Sequence, residues 1–99
     1  MSARASRANR RDRNEAELVS FWNRLDCVWI PQEPGAGFDG ILIAPNGVHI
    51  VEVKNAAYAW ELTHDESLMK IRIQEAGQEY RVIQTLEEAA RLIDYEIEA

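Results

Sequence analysis

The chain has 99 residues, 46% of them hydrophobic, and a formal net charge of −6. That length suits one compact domain and excludes two; no apolar run approaches the roughly 20 residues that span a bilayer, and no apolar segment follows the basic N-terminus as a secretory signal requires. Cys27 is the single cysteine, which excludes an internal disulfide, so a reducing, cytoplasmic setting with no membrane partner is expected.

Charge is divided unevenly along the chain. Residues 1–13 hold Arg4, Arg7, Arg10, Arg11 and Arg13 against Asp12 alone, a balance of +4 that leaves −10 for residues 14–99. With almost no large apolar side chains, residues 1–13 are expected to be a disordered basic arm. By composition it suits a polyanion, and its plain alternative is a solvated tail. The acidic body argues against a broad, uniformly basic nucleic-acid surface, so any nucleic-acid contact is expected to be local or helped by a cation.

A single folded domain is expected over 14–99. Asn14 with Glu17 three residues on has the form of a helix start. Leu18, Phe21, Trp22 and Leu25 then recur on one helical face, and Asp26–Cys27 closes the helix. Val28 to Ile30 reads as a short strand stopped by Pro31. After a loop containing Pro34, Gly35 and Gly37, Phe38–Ala44 reads as a second strand. Pro45-Asn46-Gly47 is a turn, and Val48–Lys54 is a third strand, so the two form a hairpin. Residues 55–62 show no period and read as a loop. Tyr58 and Trp60 within it are expected in the core, with base stacking or a dimer contact as the alternative. Thr63 with Glu66 caps a helix whose apolar side is Leu68, Met69, Ile71, Ile73 and Ala76, with Gly77 at its C-cap. Tyr80–Ile83 is a fourth strand, and Thr85 with Glu88 caps a last helix carrying Leu86, Ala89, Ala90, Leu92 and Ile93. The order is α-β-β-β-α-β-α.

The third strand carries the chemistry. Alternation puts Glu52 and Lys54 on one face and Val51 and Val53 on the other. Its apolar continuity marks it as central, where a carboxylate and an ammonium are poorly solvated. Asp39 starts the partner strand. With Pro45-Asn46 as a two-residue loop it falls opposite Glu52; with Gly47 in a bulge the contact is diagonal. In either register two carboxylates crowd one end of the hairpin. They repel unless neutralised, and oxygen-rich sites suit Mg²⁺ or Mn²⁺. Such a cation stabilises charge on a scissile phosphate and acidifies water, while a nearby lysine stabilises developing negative charge. An isolated E-x-K is commonly a solvated strand end; the preceding Gly37-Phe38-Asp39, the hairpin and the apolar strand make the difference here.

Gly37-Phe38-Asp39 with Val51-Glu52-Val53-Lys54 resembles the PD-(D/E)XK nuclease superfamily. Glu75-Ala76-Gly77 and the run from Tyr80 to Glu88 resemble its virus-type replication-repair nuclease (VRR-NUC) branch. The resemblance covers roughly residues 14–94 and implies an α/β, restriction-endonuclease-like core: a mixed four-stranded sheet flanked by helices. It implies that Asp39 and Glu52 hold Mg²⁺ or Mn²⁺, with the Val53 backbone carbonyl as a further ligand, and that Lys54 is the catalytic lysine. Phe38 stands where the family usually has proline, and Glu66 falls near the place of a glutamine that many members carry, which puts a phosphate-side contact in doubt; Lys70, one turn later, is the stand-in. A glutamate of the first helix often completes the metal shell, and both Glu15 and Glu17 lie beside the apolar stripe, Glu15 slightly nearer. Either is equally an acidic residue favoured at a helix N-terminus.

Three functions are weighed. The first is a Mg²⁺-dependent DNA endonuclease, structure-specific for junctions or flaps and acting in DNA repair or recombination in a prokaryote or, for a phage, in its host's cytoplasm. DNA contacts would come from the arginine arm and Lys70, and the resemblance implies a homodimer. The second is a catalytically inactive nuclease-fold DNA-binding or adaptor protein. The third is an unrelated acidic interaction module. His49 and His64 lie apart and form no zinc pair, and Cys27, Trp22 and Trp29 are expected in the core.

Overall fold

A computed structural model describes residues 14–97 of the chain; the arginine arm of residues 1–13 lies outside the described residues. Helix α1 runs over 14–24, followed by β1 (Val28–Pro31), β2 (Gly40–Ala44), β3 (Gly47–Val53), α2 (His64–Glu75), β4 (Tyr80–Ile83) and α3 (Leu86–Leu92). The four strands form one sheet in the order β1-β2-β3-β4. The first three are antiparallel and β4 is parallel to β3, joined to it by the crossover helix that a parallel pair requires. The expected α-β-β-β-α-β-α order and mixed sheet are present. No helix among the described residues is long and apolar enough to cross a membrane.

Register assigns each face. Ala44 pairs with Gly47 and Gly40 with Val51, so Pro45-Asn46 is a two-residue loop and the bulged alternative is excluded. Paired residues point to the same side of a sheet. One face therefore collects Leu42, Val51, Val53 and Ile83, which pack with Leu18 and Trp22 of α1 and Ala89 of α3 into the buried core. Trp22 is fully buried, and its indole nitrogen donates to the Ala89 carbonyl at 3.1 Å, satisfying the one polar atom that so large a side chain brings inside. Trp29 stacks on it with ring centroids 5.5 Å apart. The ring of Trp29 lies directly over Gly40, where any Cβ would collide with it. α1 ends as the Cys27 amide donates back to the Trp22 carbonyl and Asp26 takes a left-handed φ of 63°, which a short polar side chain tolerates. Pro31 ends β1 on the sheet edge, where its missing N–H is harmless.

Among the described residues the second face is only half covered. α2 lies against β4 and the loop before β2, burying Ile73 and Tyr80. Gly37 makes this approach possible: its φ is +92°, and a Cβ there would come within 2.6 Å of Met69 Cβ. The Tyr80 hydroxyl donates to the Gly37 carbonyl at 2.6 Å beneath the helix. Beyond α2, the register lines up Val28, Ile43 and Val48 in one row and Ile30, Ile41 and Ile50 in the next. Val28, Ile30, Ile43 and Val48 are exposed.

Several expectations need correction. Leu68 and Ile71 do not join the core; they are exposed, because the two anchors of α2, Glu66 and Ile73, fix its inward face and leave 68 and 71 on the opposite side. Leu86 is exposed at the start of α3, and Tyr58 and Trp60 are exposed in the 54–63 loop rather than buried. The C-cap of α2 is Ala76, with Gly77 the residue after it at φ +85°. β2 begins at Gly40 rather than Phe38, for a reason that belongs to the site itself.

Candidate active site

Asp39 does not continue the ladder. Its amide donates to the Val51 carbonyl at 3.0 Å and its carbonyl accepts from the Gln32 amide at 2.9 Å. Its carboxylate folds back across the hairpin to accept from the Val53 amide at 2.7 Å. The side chain thus takes over the pairing that the backbone gives up, and the carboxylate is pinned at the C-terminal end of β3.

That end carries Glu52, Val53 and Lys54. Val53 points into the core. Glu52 and Lys54 point to the α2 face, as alternation requires, with Lys54 Nζ 3.4 Å from Glu52 Oε2. Glu52 is 1% exposed. Burial, then the neighbouring Asp39 charge, then contact with Glu66, push its carboxyl up to about 9, against the opposing pull of Lys54. A carboxylate so placed holds a proton near neutral pH unless a cation takes the proton's place.

Glu66 is the member that sequence reasoning assigned to a different role. In sequence it stands near the place of a glutamine, and in the fold it enters the acid cluster from α2. Its Oε1 accepts from Lys54 Nζ at 2.7 Å and from the Thr63 amide at 2.9 Å, while the Thr63 hydroxyl accepts from the Glu66 amide at 3.2 Å. Burial opposes its ionisation, but the bonds from Lys54 and Thr63 outweigh that and hold its carboxyl below the usual range. The signal was in the sequence: the third residue of a capping box folds back over the helix N-terminus, and that N-terminus stands against the end of β3.

Asn14 docks α1 onto the same end, its side-chain amide donating to the Lys54 carbonyl at 2.7 Å and to the Gln84 carbonyl at 3.3 Å. Glu15, next to Asn14, is half-buried, whereas Glu17 is exposed and faces a surface depression with Ser20, Arg24 and Leu86. Gln84 in turn holds the 54–63 loop, donating to the carbonyls of Asn55 at 3.0 Å and Tyr58 at 2.8 Å. Lys70, one turn after Glu66, lines an open groove of about 590 Å³ with Trp60, Tyr80, Val82 and Arg91. Val82 is the sheet neighbour of Glu52, but Asp39, Glu52, Lys54 and Glu66 are not among the residues lining the groove, which extends over His49, Arg81, Glu88 and Asp94. Arg4, Arg7, Arg10, Arg11 and Arg13 lie outside the described residues.

The donor set suits a hard divalent cation. Asp39 and Glu52 offer carboxylate oxygens, and the crowding that raises the Glu52 carboxyl is relieved by positive charge. Among the described residues no three acidic, histidine or cysteine side chains form a metal-holding group, so the remaining positions would fall to backbone oxygen, water and substrate. Mg²⁺, which dehydrates reluctantly and keeps several waters, accepts that arrangement.

Comparison of the sequence with protein-family models and with curated proteins gives no match. In three dimensions the chain is similar to a solved structure described as a "VRR_NUC domain", with a TM-score of 0.63 and 18% sequence identity, covering 89% of this chain and 98% of that one. The fold is that of a VRR_NUC domain, the fold the sequence motifs implied.

Proposed function

We propose that this VRR_NUC-fold chain is a member of the VRR-NUC nuclease family and a metal-dependent DNA endonuclease, with Asp39, Glu52 and Lys54 as its active site. The observation that carries the reading is Glu52: a carboxylate buried in the sheet interior beside Asp39 on one side and Lys54 on the other. Structural residues are seldom left in such surroundings, and strongly perturbed carboxyls gather at functional sites.

In this reading Asp39 and Glu52 would hold Mg²⁺ or Mn²⁺, with the Val53 carbonyl as a further candidate donor; among the described residues Glu15 forms no three-acid group with them. When bound, the cation supplies positive charge to the scissile phosphate and to the attacking water. Asp39, fixed by the Val53 amide, keeps its carboxylate oriented before any cation arrives. Lys54 offers an ammonium to the negative charge that develops on phosphorus-bound oxygen as the P–O bond breaks. The groove beside Val82, with Lys70, Arg91 and exposed Trp60, supports contact with a nucleic-acid strand, and the arginine arm supports affinity. The small body supports recognition of DNA structure, such as a flap or junction, over sequence. For the homodimer, the exposed Val28, Ile30, Ile43 and Val48 offer an apolar patch that two copies could bury against each other.

A second reading, an inactive nuclease-fold DNA-binding or adaptor protein, is favoured by the Lys54–Glu66 ion pair, which engages the lysine with a carboxylate near the place where many members of the resembled family carry glutamine. Labelled duplex, flap and four-way-junction DNAs incubated with the full chain, with and without Mg²⁺ or Mn²⁺, decide between them. Cleavage that requires the cation and disappears in Lys54→Ala and Asp39→Asn is the expected result. DNA that is bound but left intact under every condition would establish the second reading.

A further inference from the structure

We propose that Glu66 is a positioning residue for Lys54, fixing the lysine amine to the backbone of helix α2 through a single carboxylate oxygen. The inference rests on the nuclease reading of the site and adds a residue that reading does not contain.

The chain provides its own control. It has two capping boxes, one at each of its later helices. At α3, Glu88 Oε1 accepts from two backbone amides, Gln84 at 2.8 Å and Thr85 at 3.1 Å. The Thr85 bond is the one that defines the box, and the Gln84 amide is an addition to it. At α2, Glu66 Oε1 accepts from one backbone amide, Thr63, and from Lys54 Nζ. The lysine stands where the second backbone amide stands in the other box. Capping accounts for the Thr63 bond, which completes the box by itself, and does not account for the bond from Lys54.

Distances identify which carboxylate sets the amine. Lys54 Nζ lies 2.7 Å from Glu66 and 3.4 Å from Glu52. Charge-assisted N–H···O bonds fall at about 2.7–2.9 Å, so Glu66 makes the directional bond and Glu52 only an electrostatic neighbour contact. A lysine is a point charge on a flexible four-carbon stem and has no fixed position without such a partner. Glu66 is itself immobilised, 8% exposed and bonded to the Thr63 amide. The result is a chain of contacts from backbone to carboxylate to ammonium that places Lys54 Nζ beside the Asp39–Glu52 pair before substrate binds.

Because the sequence holds two lysines, Lys54 and Lys70, ¹⁵N-lysine labelling gives two ammonium signals. In the wild-type protein a through-hydrogen-bond coupling is expected between Lys54 Nζ and the Glu66 carboxyl carbon, larger than any to Glu52. Glu66→Ala should remove the exchange protection of the Lys54 signal and leave Lys70 unmoved. Glu66→Gln, which keeps an acceptor oxygen, should restore most of it, and Thr63→Ala, which removes only the capping hydroxyl, should preserve it. Absence of the coupling in wild type, or a Lys54 signal unchanged in Glu66→Ala, overturns the proposal. If Thr63→Ala reproduces the loss seen in Glu66→Ala, the residue is a helix cap only. In cleavage with Mn²⁺, Glu66→Ala should lower kcat at least tenfold with KM within twofold, and Glu66→Gln should stay within about threefold of wild type; an equal kcat in Glu66→Ala also overturns the proposal. Wild-type protein that cleaves nothing refutes the nuclease reading, while the lysine spectra still decide the positioning role.

Discussion

Glu52 makes the stability of the metal-free protein depend on pH in an unusual direction. Its carboxyl titrates near 4.5 when solvated and at about 9 in the fold. Between those values the native state holds one more proton than the unfolded chain, so stability falls as pH rises, by about 1.4 kcal/mol per unit. From pH 5 to pH 8 the loss reaches up to about 4 kcal/mol, against a total of roughly 5–15 kcal/mol for a domain. Glu52→Gln keeps the shape and removes the titration. The variant should match wild type near pH 5 and exceed it at pH 8. Two other shifts do not disturb the comparison. The Glu66 carboxyl is held low, so its contribution is complete above 4.5 and lost only below that. His49 is held below 6.5 by burial and by Arg81, which adds stability as pH rises through that range, but equally in both proteins. Urea denaturation of each at pH 5, 6, 7 and 8 measures the difference, and Mn²⁺ at 100 times its Kd should return roughly 2.7 kcal/mol to wild type at pH 8 and nothing to the variant. Parallel stability curves for the two proteins would refute the argument, since they would mean that Glu52 titrates alike folded and unfolded.

Gly40→Ala should destabilise the fold by roughly 1–3 kcal/mol, because the new methyl meets the Trp29 ring and overpacking forces rotamer shifts; thermal melting reads this directly. Val48→Glu places a charge in the exposed apolar rows, on a residue 65% exposed, so it should abolish the proposed homodimer in light scattering while leaving the melting temperature of the monomer nearly unchanged. Deleting residues 1–13 while retaining Asn14 and Glu15 should weaken binding to all DNA shapes alike and flatten the slope of log K against log salt by roughly 0.9 per lost duplex phosphate contact, with cleavage at saturating DNA preserved. An unchanged salt slope would assign the basic contact to other residues, Lys70 and Arg91 first.

The sequence by itself determined whatever depends on short spacing. Period-two alternation placed Glu52 and Lys54 together and Val51 and Val53 in the core, because successive strand residues face opposite ways whatever the rest of the chain does. Capping boxes at Thr63–Glu66 and Thr85–Glu88 determined where two helices start, because the motif satisfies local backbone amides with local side chains. Tertiary structure alone decided the hairpin register, which turned on one residue of loop geometry, and the departure of Asp39 from its strand to bond the Val53 amide. It alone decided which side of α2 faces inward: Leu68 and Ile71 carry the apolar pattern, yet Glu66 and Ile73 take the buried positions, since the inward face is set by what the helix meets across Gly37 and β4. For the same reason Glu66 looked like a missing glutamine in sequence and proved to be the partner of Lys54 in space; twelve residues separate them along the chain, and only the parallel crossover from β3 through α2 to β4 brings the helix start back to the strand end.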